Sequence, residues 1–132
     1  MNNALDTIVK SLSKEEVRFF KLFLKRTDSK NRKDVDLFDL IRKKNGDYTT
    51  QEALKKLKTN PNNFYQVKNR LYHELNNSMV WQHIWKDKQS KSFSFVLLSR
   101  VYKNKGELEL SFHYLKKAEK EANDYCRDIL DK

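Results

Sequence analysis

The scarcity of residues that break secondary structure is the feature of this sequence that most restricts its fold. Only 2 glycines and 1 proline occur among its 132 residues. A β-sheet protein of this length requires frequent turns, which are rich in glycine and proline, whereas a helical bundle requires few. Hydrophobic residues make up 38% of the chain, which is enough for a packed core. The sequence therefore predicts an all-α protein, a helical bundle of six or seven helices.

The spacing of apolar residues locates the first two helices. A first helix is indicated by apolar residues at i, i+3, i+4 and i+7, namely Leu5, Ile8, Val9 and Leu12. Ser13 and Glu16 have the spacing of a capping box, so a second helix is predicted to begin at Lys14. This helix, residues 14–26, is apolar around much of its circumference, and we expect it to lie at the centre of the core.

Two polar breaks frame the next pair of helices. A polar loop is predicted at residues 27–33 and a helix at residues 34–43, which the Asn45–Gly46 pair ends. Thr49 and Glu52 form a second capping box. A short helix is therefore predicted to follow Thr49.

The segment 59–63, Thr-Asn-Pro-Asn-Asn, is the strongest break in the chain. A long helix is predicted after it, over residues 63–85. A polar linker at residues 86–91 then joins an N-terminal helical domain, residues 1–85, to two helices within residues 92–132 that we expect to pack on its end. The apolar seam of the long helix consists of Phe64, Val67, Leu71, Leu75 and Met79.

The C-terminal segment carries an ordered series of large and small residues. Its first helix has an aromatic residue, a leucine, a small residue and a tyrosine; a glycine marks the turn; small, large and small residues follow on the second helix. These residues are Phe95, Leu98, Ser99, Tyr102, Gly106, Leu108, Ser111, Leu115 and Ala118. From Ser92 to Ala122 the sequence thus resembles one tetratricopeptide (TPR) repeat. It departs from the family pattern where Phe replaces Trp, Ser replaces Gly, Ser replaces one Ala, and Asn123 replaces the closing Pro.

The resemblance implies a TPR-like antiparallel hairpin in which Ser99 and Ser111 let the helices approach closely. Around this contact, Phe95, Tyr102 and Leu115 are expected to fill the space. An ordinary helical hairpin would place the same small residues at its crossing, so that alternative stays open. A single repeat cannot bury both of its faces. The N-terminal helices are therefore expected to pack on it, or the chain is the front of a longer protein. The N-terminal portion looks similar to uncharacterised repeat-containing proteins of the Bacteroidetes type, which implies no activity.

Residues 34–80 resemble, in their order of helices, the core of helix-turn-helix DNA-binding domains, whose last helix lies in the major groove. The spacer at residues 58–62 is longer than the usual turn, and no β-hairpin follows. Asn, Gln and Arg can pair with base edges and Lys with phosphates, although any solvated helix of this protein would have a similar surface. The nucleic-acid contacts would be Lys55, Lys56, Lys58, Gln66, Lys68, Asn69, Arg70 and His73.

The chain has a formal net charge of +10, with 28 basic and 18 acidic residues. Such an excess attracts nucleic acid, acidic proteins or anionic lipid, although solubility also accounts for it. No apolar run approaches the roughly 20 residues that cross a bilayer, so no membrane partner is expected. The single cysteine, Cys126, and an N-terminus without a secretory signal pattern predict a cytoplasmic protein.

The sequence contains no pattern typical of a catalytic or metal site. Its three histidines, His73, His83 and His113, lack metal-ligand spacing. An acidic cluster lies at a predicted helix start, where carboxylates complement the helix dipole, and consists of Asp34, Asp36 and Asp39. The two glycines are far apart, which excludes a glycine-rich phosphate loop. We therefore predict no enzymatic activity, no metal and no cofactor.

Protein–protein interaction is the expected function, with an acidic or amphipathic helix of a partner as the ligand. Two tryptophans at i, i+4 either anchor a partner or pack at the junction of the two domains. The alternative function is a basic DNA-binding regulator. The residues expected to contact a protein partner are Arg100, Lys103, Tyr114, Trp81 and Trp85.

Overall fold

The computed structural model describes residues 4–26 and 32–130, and every regular element in these ranges is an α-helix. The predicted all-α class is confirmed. The predicted polar loop at 27–33 lies outside the described residues except for its last two positions, which begin a helix. The elements are α1 (Ala4–Ser11), α2 (Lys14–Arg26), α3 (Arg32–Lys44), α4 (Thr50–Leu57), α5 (Pro61–His83), α6 (Lys88–Asn104) and α7 (Leu108–Leu130).

Side-chain caps determine where α2 and α4 begin. The Glu16 N–H donates to Ser13 Oγ at 3.1 Å, and the Ser13 N–H donates to Glu16 Oε1 at 2.9 Å. This reciprocal pair confirms the predicted capping box and satisfies two of the free N–H groups at the start of α2. At the start of α4, the Glu52 N–H donates to Thr49 Oγ1 at 3.1 Å.

The start of α5 and the end of α3 follow from residues with special backbone preferences. The Asn63 N–H donates to Asn60 Oδ1 at 2.9 Å, so Asn60 caps α5. The helix begins at Pro61, two residues before the predicted start, because proline is well suited to the first helical position. At the end of α3, Asn45 and Gly46 adopt φ values of 53° and 80°. The Gly46 N–H then donates to the Ile41 carbonyl at 3.0 Å and closes the helix.

The chain divides into two compact units, Met1–Val80 and Trp81–Lys132. In the first unit, α3 and α5 supply most of the apolar core. The predicted seam of α5 is buried at its first four positions, and Met79 packs half-buried against it. The core residues from α3 are Leu37, Phe38, Leu40 and Ile41, and those from α5 are Phe64, Val67, Leu71 and Leu75.

The predicted central position of α2 is wrong. Within this helix, which the structure describes in full, Phe20 alone is buried, with its ring 4.9 Å from that of Phe38. Leu22 is 57% exposed. Phe19 and Phe23 are half-buried and stack on each other at 6.5 Å. The apolar residues of α2 are spread too widely for one packing surface to cover them, so α3 takes the central position instead.

A polar contact ties α1 to the segment between α3 and α4. The Tyr48 hydroxyl donates to Oδ1 of the buried Asp6 at 2.9 Å. Burial, and then the hydrogen bond to this carboxylate, raise the pKa of Tyr48 above the usual tyrosine value. Arg42 Nη1 donates to the Val9 carbonyl at 3.2 Å and joins α3 to α1. These bonds fix α1 on the core although it has only 8 residues.

In the second unit, α6 begins earlier than the sequence indicated. Four residues of the predicted linker, 88–91, form the first turn of this helix. Asp87 caps it, since Asp87 Oδ2 accepts the Ser90 N–H at 3.0 Å and the Ser90 hydroxyl at 2.8 Å. These hydrogen bonds lower the pKa of Asp87. The cap, and ion pairs of Lys88 and Lys91 with carboxylates of α7, make this polar stretch helical.

None of the helices in the described ranges has an apolar stretch long enough to cross a bilayer.

Candidate interaction site

Small residues form the contact between α6 and α7. Ser99, Ser111 and Ala118 are buried, and the two serine Oγ atoms are 2.9 Å apart. The Ser111 hydroxyl also donates to the Ser99 carbonyl at 2.9 Å. The Ser92 hydroxyl donates to the Ala118 carbonyl at 2.8 Å. The pairs 92–118 and 99–111 run in opposite directions along the chain, so α6 and α7 are antiparallel.

The turn of this hairpin is built on a glycine. Gly106 adopts a φ of 81°, a conformation that glycine reaches without a steric penalty. The Glu107 N–H donates to the Tyr102 carbonyl at 2.9 Å, which satisfies one of the last carbonyls of α6.

A row of aromatic rings in contact, which we call the aromatic ladder, covers one side of the hairpin. It contains Trp85, Phe95, Tyr114 and Tyr102, with successive ring centroids 5.4, 6.0 and 5.6 Å apart. Lysine ammonium groups lie over two of these rings: Lys117 Nζ is 5.6 Å from the Phe95 centroid and Lys105 Nζ is 5.9 Å from that of Tyr102. Two residues predicted to contact a partner, Trp85 and Tyr114, therefore already pack against other aromatic rings of the hairpin.

The opposite side of the hairpin is an exposed apolar surface, which we call the apolar face. Its five side chains are between 43% and 66% exposed. At about 100° per residue, two lie along α6 and three along α7, on the side of the serine contact away from the aromatic ladder. Leu115, which the TPR resemblance assigned to filling the helix contact, belongs to this exposed set. The members of the apolar face are Phe93, Leu97, Leu108, Phe112 and Leu115.

All the charged side chains of α6 are basic. This helix carries four basic residues and no acidic ones. Lys88 pairs with Asp128, and Lys91 Nζ is 3.4 Å from Glu121 Oε1. The ion pair with Asp128 raises the pKa of Lys88. The two basic residues nearer the end of α6, Arg100 and Lys103, are exposed and form no ion pair within the described parts of the chain.

A second surface, which we call the α4–α5 surface, lies on the first unit. It consists of exposed polar residues that the sequence predicts as nucleic-acid contacts: Lys55, Lys56, Lys58, Gln66, Asn69 and His73. Between residues 53 and 73 the chain has no acidic residue. Lys68, from the same predicted set, is half-buried with its Nζ 5.6 Å from the Phe64 ring centroid. Glu52, three positions before Lys55, and Glu74, next to His73, flank this segment.

Arg70 belonged to the same predicted set, but the structure gives it an internal partner. Its Nε and Nη2 donate to the two carboxylate oxygens of Asp34 at 2.8 and 2.7 Å. Asp34 is completely buried, and the hydrogen bond to it raises the pKa of Arg70. The guanidinium group thus satisfies a buried charge instead of projecting toward a base edge.

The Asp34–Arg70 pair was missed in the sequence, although one signal was present. Asp34 stands at i−3 and i−7 from Leu37 and Ile41, so its carboxylate falls on the buried face of α3. A charge on a buried face needs a partner. The position of Asp34 at the start of α3 also suits the helix dipole, the role that the sequence predicts for it together with Asp36 and Asp39.

The remaining histidines and the cysteine singled out in the sequence are exposed. His73, His83 and His113 are all exposed, as is Cys126, the free cysteine. Across residues 4–26 and 32–130, no group of three histidine, cysteine or acidic side chains is arranged to hold a metal ion. Trp81 is exposed on the last turn of α5.

No protein-family model matches the sequence, and no curated protein or solved structure is significantly similar to it. Function is therefore inferred from the apolar face itself.

Proposed function

We propose that this protein is a non-enzymatic protein–protein interaction module that docks a helix of a partner on the apolar face. The observation that carries this proposal is the exposure of five large apolar side chains on one side of the hairpin. Exposed apolar residues are common singly, but a contiguous group of this size marks an interaction surface.

The size of the apolar face fits a helical ligand. With roughly 100 Å² exposed on each of five side chains, the face presents about 500 Å² of apolar surface. A stable interface buries about 800 Å² on each partner, including a polar rim. One amphipathic helix can supply the matching apolar stripe with residues at i, i+3, i+4 and i+7.

The charge beside the apolar face favours an acidic ligand. Arg100 and Lys103 lie on the same helix as Phe93 and Leu97, and α6 offers them no carboxylate. A ligand helix with Glu or Asp beside its apolar stripe would place carboxylates near these two cations. Complementary charge at the rim of an interface raises the association rate and disfavours wrong partners.

The repeat pattern is consistent with this function. A single TPR-like hairpin buries its small-residue contact and leaves an outer face that a neighbouring helix would normally cover. In this protein the outer face carries Phe93 and Phe112 rather than the polar residues of a terminal capping repeat. The proposal assigns that covering helix to another protein.

Synthetic helical peptides test this function directly. Two labelled peptides would share a leucine-rich stripe and differ in flanking residues, Glu in one and Lys in the other. Fluorescence anisotropy should show at least tenfold tighter binding of the Glu-flanked peptide. Leu97→Asp should weaken its binding by about tenfold or more, since tenfold corresponds to about 1.4 kcal/mol. Leu22→Asp is the matched control, because Leu22 is a similarly exposed leucine on α2, and it should leave binding unchanged.

Two outcomes would contradict the proposal. Equal binding of both peptides would contradict the preference for an acidic ligand. Equal loss of binding with Leu97→Asp and Leu22→Asp would contradict the apolar face as the binding site. The oligomeric state of the protein alone, measured by light scattering, could also contradict the proposal. A dimer that Leu97→Asp converts to a monomer would mean that a second copy of the chain, rather than a partner helix, covers the apolar face.

A further inference from the structure

We propose that Glu119 selects the ligand of the apolar face, by requiring a helix that carries one basic residue within its apolar seam. This role rests on the proposed function, since it needs a partner helix on the apolar face. It specifies in addition the length, the chemistry and the register of that helix.

The side of α7 that carries the apolar face continues along the whole helix with a heptad spacing. From Leu108 to Ile129, residues at alternating intervals of four and three positions share one stripe of the helix, which we call the α7 stripe. Its first three residues belong to the apolar face, and the remaining four are Glu119, Ala122, Cys126 and Ile129. Cys126 and Glu119 are exposed, and Ile129 is 55% exposed. The α7 stripe extends over about 32 Å at 1.5 Å per residue, the length of a helix of about 21 residues.

This spacing is matched by another helix and by no other regular element. Two helices that cross at a small angle meet at positions three and four residues apart, whereas a strand presents every second residue. A spacing sustained from residue 108 to residue 129 therefore indicates one long helix as the ligand.

Glu119 occupies the middle of the α7 stripe and is its only charged member. Its side chain is exposed and forms no ion pair within the described parts of the chain. A partner helix that covered the stripe would remove this carboxylate from water, and a buried charge without a counterion is costly. A Lys or Arg at the facing position would supply the counterion. One polar residue at a seam position is enough to fix the register and the partner of paired helices.

The register of the hairpin relates Glu119 to the basic residues of α6. Because Ser99 contacts Ser111 across the antiparallel hairpin, Arg100 lies at the level of residue 110 of α7. Glu119 follows residue 110 by about nine positions, or about 13 Å along the helix. The expected ligand therefore has acidic residues beside its seam at one end and a basic residue in the seam about nine positions away.

Helical peptides with one variable seam residue test this selection. The peptides share Glu flanks and an apolar heptad seam, and one interior seam residue is either Lys or Glu, moved along the seam from peptide to peptide. At the position that faces Glu119, fluorescence anisotropy should show at least about tenfold tighter binding of the Lys peptide, because like charges facing each other across an interface repel. The net charge of +10 attracts the more acidic Glu peptide and so acts in the opposite direction. A preference for Lys therefore requires a local carboxylate.

Substitution of Glu119 should reverse the order of the two peptides. With Glu119→Lys, the Glu peptide should bind at least about tenfold more tightly at the same position. Glu109→Lys is the matched control, because it changes an exposed glutamate of the same helix and gives the same formal charge, 10 + 2 = +12. Glu109 lies outside the α7 stripe, about 15 Å along the helix from Glu119, so this variant should keep the preference for Lys. Circular dichroism would show that both variants are folded.

The single cysteine of the chain offers a test of the register. Cys126 is exposed and lies one heptad after Glu119 in the α7 stripe. A peptide cysteine placed one heptad before or after the seam Lys should form a disulfide with Cys126 under mild oxidation, in one of the two placements according to the direction of the bound helix. A peptide cysteine on the polar side of the helix should not. Equal cross-linking from the polar side would overturn the proposed register.

The outcomes separate the role of Glu119 from the proposed function. Glu-flanked peptides that bind without a preference for Lys at any position would overturn this role and leave the apolar face as the docking site. A preference for Lys that survives Glu119→Lys would do the same. Absence of binding by every peptide would overturn the proposed function together with the role of Glu119.

Discussion

The carboxylate of Asp34 accepts two hydrogen bonds from Arg70 in a fully buried position. A planar guanidinium presents two parallel N–H donors to a carboxylate, which lysine cannot reproduce. The pair joins the first turn of α3 to the middle of α5, 36 residues apart. Arg70 is therefore a structural residue, and its positive charge contributes little to the attraction of an external anion.

The two partners of this pair should not be equivalent when removed. Arg70→Met leaves the buried Asp34 carboxylate without a counterion, and a buried charge left unpaired costs about 3 kcal/mol, less some screening because Arg70 is partly exposed. Asp34→Asn leaves the guanidinium able to reach water and should cost less. Urea unfolding at pH 7 measures both. The exposed pair Lys21–Asp39 is the control, and Lys21→Met should cost under about 1 kcal/mol. A larger loss for Asp34→Asn than for Arg70→Met would contradict this account.

At the scale of single helices, capping depends only on residues close together in the sequence. The α2 cap needs only two residues three positions apart, whereas the burial of α2 depends on which other helices come near it. The same helix therefore begins where its sequence indicates and yet buries only Phe20. Its half-buried Phe19 and Phe23 rings cover each other instead of entering the core.

Two neighbouring serines should respond in opposite ways to the same substitution. Ser13→Ala removes the cap of α2 and should reduce the free energy of unfolding by about 1 kcal/mol. The Ser11 hydroxyl donates back to the Ile8 carbonyl at 2.7 Å within α1. Such a bond supports a helix little, and alanine has the higher helix propensity, so Ser11→Ala should be neutral or slightly stabilising. Thermal unfolding by circular dichroism compares the two, and equal losses would count against the capping role of Ser13.

At the scale of the whole molecule, the helices within the first unit and those within the second pack through different kinds of contact. Among its described residues the first unit buries fourteen apolar residues, and all but Ala53 are valine or larger. In the second unit the buried residues of α6 and α7 are Ser94, Ser99, Ser111 and Ala118. Small side chains allow the helices a close approach but remove little apolar surface from water, and the hydrophobic contribution scales with that area.

This contrast predicts unequal local stability. In hydrogen exchange measured by mass spectrometry, amides of α3 and the core half of α5 should exchange at least about tenfold more slowly than those of α6 and α7. Adding the Glu-flanked peptide should slow exchange in α6 and α7, because a ligand that binds the folded state stabilises it. Equal protection of the two units without peptide would show that the serine contacts hold the hairpin as firmly as the apolar core holds the first unit.

The sequence by itself determined the features that depend on neighbours within one or two helical turns. The all-α class, the cap at Ser13 and the buried seam of α5 all follow from spacings of three, four or seven residues, which the geometry of a single helix fixes. The small residues at positions 99 and 111 were also visible, since a close crossing of helices needs them.

The tertiary structure alone decided what depends on residues far apart in the chain. Only folding brings Asp34 to Arg70, packs Trp85 against Phe95, and leaves Leu115 on the surface instead of around the helix contact. The ion pairs of the polar stretch at 88–91 join its lysines to carboxylates of α7 about 30 to 40 positions along the chain. A residue's burial and its ion partner are set by the surfaces that meet when helices pack, and no local spacing encodes which surfaces those will be.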